Sequence, residues 1–364
     1  MIRTDVPASA AGSLAPVAAP RWSWIFGVRA DLAIALCWIP IFAFAHVLSV
    51  GGANDLLLNR LFRGAFLLSL LHQPLTLALV YGDREQFALR KRLFTWSPPV
   101  AVGLIAAAVL LDLWIVVPIA AIWNTVHTLQ QRYGLSRIYS RKAGYGSARL
   151  DRAVLYTGMA AALLVAGSST KTLEALGRVM LDDRNSSAIT DLTSIRPYAM
   201  WLVVPALAAF AVVLGMLLRQ ERAHFTAANP AKWLYVGSSL ALIAAIAWDP
   251  LAGFVAYVAA HAIEYTIVVD KTVEKRYAAP RPDMPFLGRL VRDRRARIAS
   301  FAIFVAAILL FDSRVRAAIP GHTYLIVVYS IGILHFWYDS FIWKLRRPAV
   351  AKDLGIESGA PVPA

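Results

Sequence analysis

Apolar residues run along this chain in blocks of membrane-crossing length, separated by short polar or basic breaks. The blocks lie near 31–50, 63–82, 97–111, 113–131, 151–168, 197–218, 232–247, 251–270, 298–311 and 323–343. A hydrocarbon core about 30 Å thick needs about 20 residues of helix. The pattern therefore predicts an all-α, polytopic integral membrane protein of about ten transmembrane helices. The third and ninth blocks are short and call for extension at their ends. Turn signals fall at Gly51-Gly52, Ser97-Pro98-Pro99, Asp112, Trp248-Asp249-Pro250 and Ile319-Pro320-Gly321. The tightest two, at Asp112 and at 248–250, predict that the helices they join pack side by side.

Composition agrees with the pattern: 59% of 364 residues are hydrophobic and only 16% charged. A soluble chain of this length could not cover itself with so few charges. The net charge of +15 is dispersed in short segments between apolar runs, which is topology information and not a nucleic-acid footprint. Of the 37 Lys and Arg residues, 29 fall in the tail and the alternate connections that share its side, among them 132–152 and 271–297. The positive-inside rule then puts both termini in the cytoplasm, of a cytoplasmic (inner) or cell membrane. Residues 1–20 are Ala/Pro/Ser-rich and read as a disordered tail, 21–348 as one transmembrane domain and 349–364 as a second disordered tail. The connection 169–196 reads as a loop. The one cysteine, Cys37, excludes an intramolecular disulfide and any thiolate metal cage.

Histidine carries the candidate chemistry. Of seven, His46, His224 and His322 lie near predicted helix ends. His72, His127, His261 and His335 lie inside the second, fourth, eighth and tenth blocks, all of one polarity. Each is followed by bases 9 to 12 residues later, which sets the four imidazoles roughly 14–18 Å from one end, about mid-membrane. Polar partners recur one helical turn on. Glu264 follows His261 by three, Asp339 follows His335 by four, Gln131 follows His127 by four, and Asn124 precedes it by three. Pro74, beside His72 and Gln73, frees a backbone carbonyl.

Ionisable groups at the centre of a bilayer are costly and mark functional centres. The four histidines are thus candidate metal ligands, with Glu264 and Asp339 completing the coordination or holding imidazole N–H groups. Asn124, Gln131, Trp337 and Tyr338 are expected beside or around the cavity, with Trp123 and Phe336 as further walls. Imidazole and carboxylate without thiolate suits iron, with copper, zinc or manganese as alternatives.

Phosphate-binding loops, HExxH and the clustered HxxHH boxes of membrane desaturases are absent. The layout is similar to that of membrane-bound carotene-cleaving dioxygenases, which also place iron-binding histidines on several transmembrane helices; it is a likeness of layout, carried by no shared motif. The expected function is an iron-dependent oxygenase, hydroxylase or desaturase. Its substrate would be apolar (fatty acyl, isoprenoid or carotenoid) and enter from membrane lipid, with an electron-donor protein or quinone as partner. Two alternatives stand beside it: a b-type haem electron carrier with histidine axial ligands, and a transporter in which histidine and carboxylate relay protons.

Overall fold

Capping residues set where five of the described helices begin. Asp83, Ser147, Asn229, Asp249 and Asp293 each accept backbone N–H groups of a first turn, and Pro230 and Pro250 open their helices behind two of these caps. The computed structural model describes residues 22–50, 55–113, 116–170, 183–280, 282–315, 318–345 and 347–356. It is 86% helical and has no strands among the described residues. In chain order the described helices are α1 (Val28–Leu36), α2 (Trp38–Val50), α3 (Asp55–Tyr81), α4 (Arg84–Leu89), α5 (Lys91–Leu110), α6 (Val116–Ala143) and α7 (Ala148–Ser168). There follow α8 (Asp183–Ala223), α9 (Pro230–Trp248), α10 (Pro250–Arg276), α11 (Phe286–Val291), α12 (Arg294–Leu310), α13 (Gly321–Ile342) and α14 (Pro348–Asp353).

Nine helical spans among the described residues are long and apolar enough to cross a membrane. They coincide with nine of the ten blocks read from the sequence, with α1 and α2 forming one span. The remaining one, the fourth block, is α6, which is long enough but too polar to count by hydropathy. Its continuation corrects the sequence reading. Residues 132–143 were expected in a basic loop, yet they are helix, and Arg132, Ser136, Arg137, Tyr139 and Ser140 are buried. A base taken as a membrane boundary is in fact an interior residue with an acidic partner. Residues 183–196 are likewise helical rather than loop, as part of α8.

The centre of the bundle is α10. It packs on α2, α3 and α9, and at its ends on α1, α6, α11 and α14. Small residues allow this: Ala252, Ala256, Ala259, Ala260 and Ala262 are all buried along it. At Gly253 a Cβ would lie 2.5 Å from the Cα of Ile246, so the α9–α10 hairpin closes only over glycine there. The tight turn at Trp248-Asp249-Pro250 does make neighbours of α9 and α10. The one at Asp112 does not act in that way, because α5 packs mainly on α13 instead of running along α6. Asp112 holds a left-handed φ of 52°, a conformation that aspartate tolerates, and it redirects the chain. Residues 349–356, expected in a disordered tail, instead pack down in and just after α14, with Val350, Leu354 and Ile356 buried. Residues 1–20 and 357–364 lie outside the described residues.

Candidate metal centre

Four helices bring the four mid-helix histidines to one point: α3 supplies His72, α6 His127, α10 His261 and α13 His335. All four are buried. His335 is the hub, its Nε2 lying 3.2 Å from Nε2 of His72 and 3.1 Å from Nε2 of His127. The His261 ring stands edge-on to His72 and His127, with centroids 4.7 and 5.1 Å away. Two sets of donor atoms lie close enough to share an ion: His72, His261 and His335, and His127, His335 and Asp339.

The proton positions follow from the partners. Nδ1 of His72 donates to the Leu68 carbonyl at 3.4 Å, so in the neutral ring Nε2 is a lone pair. Thr76 donates its single proton to Asp339 Oδ1 at 2.9 Å, and Nδ1 of His335 lies 2.7 Å from the same Thr76 oxygen. That hydroxyl can only accept from the ring, so His335 is protonated on Nδ1 and its Nε2 is also a lone pair. Two lone pairs then face one another at 3.2 Å, which is repulsive unless a cation lies between them. Both nitrogens of His261 are buried without any hydrogen-bond partner, and one of them must be a bare acceptor. Ligands about 2.0–2.1 Å from one ion have donor atoms about 2.9–3.4 Å apart. The spacings at His335 fall within that range.

Charge points the same way. Asp339 Oδ1 accepts from Thr76 and from Tyr265 Oη, the latter at 2.9 Å. Its Oδ2 lies 3.6 Å from His127 Nε2 and 3.8 Å from His335 Nδ1. No lysine or arginine among the described residues pairs with it. A buried carboxylate without a cation is strongly penalised, and a cation held by the neighbouring histidines would balance it.

Glu264 has a different surrounding. It is buried and held by the Arg132 guanidinium, also buried, with Gln131 Nε2 donating to its other oxygen at 3.3 Å. Arg132 Nη1 donates in turn to Ser239 Oγ at 3.0 Å. The pair is neutral as a unit and sits against the histidines without belonging to either donor set. Asn124 lies one turn from His127 with its Oδ1 buried and unpartnered.

Of the expected walls, Phe336 stacks within 4.6 Å of the His127 ring, with Trp123 behind it at 6.3 Å. Trp337 and Tyr338 do not line the centre. Trp337 is 44% exposed on the outer face of α13. Tyr338 is buried toward α3 and α5, where its hydroxyl meets Tyr81 Oη at 2.8 Å and Ser97 Oγ at 2.7 Å. Three residues that sequence reasoning missed matter here: Thr76, Tyr265 and Arg132. Thr76 follows His72 by four, and Tyr265 follows His261 by four. The one-turn spacing that exposed Asp339 would have found both, had hydroxyls been searched as well as carboxylates.

A cleft of about 220 Å³ opens from the centre. His127, Tyr265 and Asp339 form its inner end, and it runs between α6 and α13 to Lys344, Leu345 and Leu354 at the basic end of the bundle. No protein-family model, curated protein or solved structure matches the chain.

Proposed function

We propose that the chain is an integral-membrane metalloenzyme, with its metal held by His72, His127, His261 and His335 and by Asp339. The observation that carries this reading is the opposed pair of Nε2 lone pairs beside the partnerless His261, in a cluster whose one carboxylate lacks a cationic partner. An all-imidazole and carboxylate set without thiolate favours iron, with manganese, zinc or copper as substitutes of the same ligand class. When bound, the ion supplies redox and Lewis-acid chemistry at the inner end of the cleft. Packing favours a bare ion over haem: four rings whose neighbouring centroids lie 4.7 to 5.1 Å apart leave no slot for a macrocycle.

The remaining residues bind and orient. Thr76 and Tyr265 hold Asp339, and Asp339 through Thr76 keeps the His335 proton on Nδ1, away from the ion. Phe336 covers the His127 ring and excludes water from it. The cleft admits an apolar chain and brings it to the His127–Asp339 side of the cluster. The activity that fits is oxidation of a lipid-like substrate (oxygenation, hydroxylation or desaturation), with electrons from a protein donor or quinone. We place the chain in a cytoplasmic or cell membrane with both termini cytoplasmic.

Elemental analysis of the purified protein beside its absorption spectrum tests this. About one ion per chain is expected, without a Soret band. His261→Ala or His335→Ala should remove that ion while the protein stays in the membrane and elutes as a single species. Fully active, metal-free protein would end the proposal and leave the proton-relay reading.

A further inference from the structure

The cleft also indicates what kind of molecule the centre takes. Its middle is apolar, lined by Leu135, Ile138, Val268, Leu345 and Leu354. Its inner end is the donor cluster. Its mouth carries Lys344, just past the end of α13, and among the described residues no other lysine or arginine lines the cleft. The Lys344 side chain is exposed and its ammonium lies 5.0 Å over the Phe341 ring. Among the described residues no carboxylate lies within ion-pair distance of it. Of the other bases at this end, Arg276 pairs with Asp353 at 2.9 Å, Lys142 donates to the Gly355 carbonyl at 2.9 Å, and Arg90 lies 4.5 Å over the same Phe341 ring without lining the cleft. One wall of the cleft is opened by Gly134, where a Cβ would meet nothing within 4 Å. A ligand therefore finds a charge at the mouth, a hydrocarbon slot behind it and the histidines beyond.

We propose that the substrate is an amphiphile with an anionic headgroup, carboxylate or phosphate, whose head is held by Lys344 and whose chain lies in the cleft. This rests on the metalloenzyme reading given above. Lys344 follows Asp339 by five residues, the first three within α13 (about 5 Å of axial rise) and the last two beyond its end. The lysine stem adds further reach, so the carbon presented to the cluster lies well down the chain and not next to the headgroup. A neutral hydrocarbon or quinone would fill the slot but leave the ammonium without a partner.

Binding can be measured without turnover, on full-length protein in nanodiscs of zwitterionic lipid with tritiated hexadecanoate as the probe. Displacement by hexadecanoate, hexadecyl phosphate and methyl hexadecanoate is then compared against empty discs. The acid or the phosphate should bind about three- to fivefold more tightly than the ester, the size of one half-exposed ion pair. Whichever of the two competes better identifies the headgroup. Lys344→Met should erase the preference while ester binding and metal content stay unchanged. Gly134→Leu should abolish chain binding for all three and leave the metal in place. Equal binding of acid, phosphate and ester to the wild type overturns the proposal, as does a preference that survives in Lys344→Met. Elemental analysis of the same samples separates the two readings. Metal-loaded protein without a headgroup preference defeats this inference alone, and metal-free protein with one defeats the metal centre alone.

Discussion

Thr76 carries one hydroxyl proton and meets three groups: Asp339 at 2.9 Å, His335 Nδ1 at 2.7 Å and Tyr265 Oη at 2.5 Å. Because the carboxylate takes the proton, the imidazole must donate, and the ligand nitrogen is left free to face the ion. Thr76→Val keeps the shape and removes this bias. It should lower metal affinity about 10- to 100-fold, the usual cost of losing such a partner. Thr76→Ser should stay within a few-fold of wild type. Chelator competition measures both, and a valine variant that holds metal as tightly as wild type would show that the tautomer is set elsewhere. Asp339→Asn should cost affinity on the same scale, since it removes the negative charge that balances the ion. At this scale the sequence was informative about imidazoles and carboxylates, which are rare enough in apolar helices to stand out. It was silent on Thr76 and Tyr265, because threonine and tyrosine are ordinary membrane-helix residues whose role depends on what a second helix brings to them.

Among the elements, α10 and α6 define the bundle interior, and the Arg132–Glu264 pair joins them beside the histidines. Both side chains are fully buried. Removing one partner of such a pair leaves an uncompensated charge and costs about 3–5 kcal/mol, whereas removing both is far milder. Arg132→Met should thus sharply lower yield and thermal midpoint of the solubilised protein. Arg132→Met with Glu264→Gln should recover most of the loss. If the double variant is no better than the single one, the arginine acts through contacts other than Glu264. The same pair explains why the sequence pattern ended α6 too early. Helix existence followed from apolar length, and nine spans lie where the blocks are. Inside α6, however, a guanidinium five residues after His127 read as the edge of the membrane, since nothing in the local sequence reveals a carboxylate 132 positions away. The α9–α10 hairpin was legible from Asp-Pro because both the cap and the turn are local. The partner of α5 was not, because it depends on how α13, over 200 residues later, returns to the bundle.

For the molecule as a whole, the two ends of the described chain bear on the proposed membrane arrangement. Ile25 packs in one cluster with Val350, Leu354 and Ile356, and Lys275 donates to the Ile25 carbonyl at 3.5 Å. Lys142, at the end of α6, donates to the Gly355 carbonyl at 2.9 Å. Both ends of the described chain thus lie at the same end of the bundle, which fits the even number of crossings in the proposed arrangement. Nine spans among the described residues qualify by hydropathy, and the proposed arrangement takes α6, a helix of sufficient length, as the tenth. Its polar residues are tolerated because they face histidines, Glu264 and Asp151 rather than lipid. Arg132 and Arg137 are buried and drop out of the positive-inside count, and the proposed orientation, with this end cytoplasmic, rests on the remaining bases. Reporter fusions after Lys142, after Arg292 and at the C-terminus should all report cytoplasm, and one at Arg184 the exterior. If Lys142 and Arg184 fall on one side, α7 does not cross. If Arg90 and Lys142 fall on opposite sides, α5 and α6 do not both cross, and the histidine of α6 could not reach mid-membrane from the same direction as the other three.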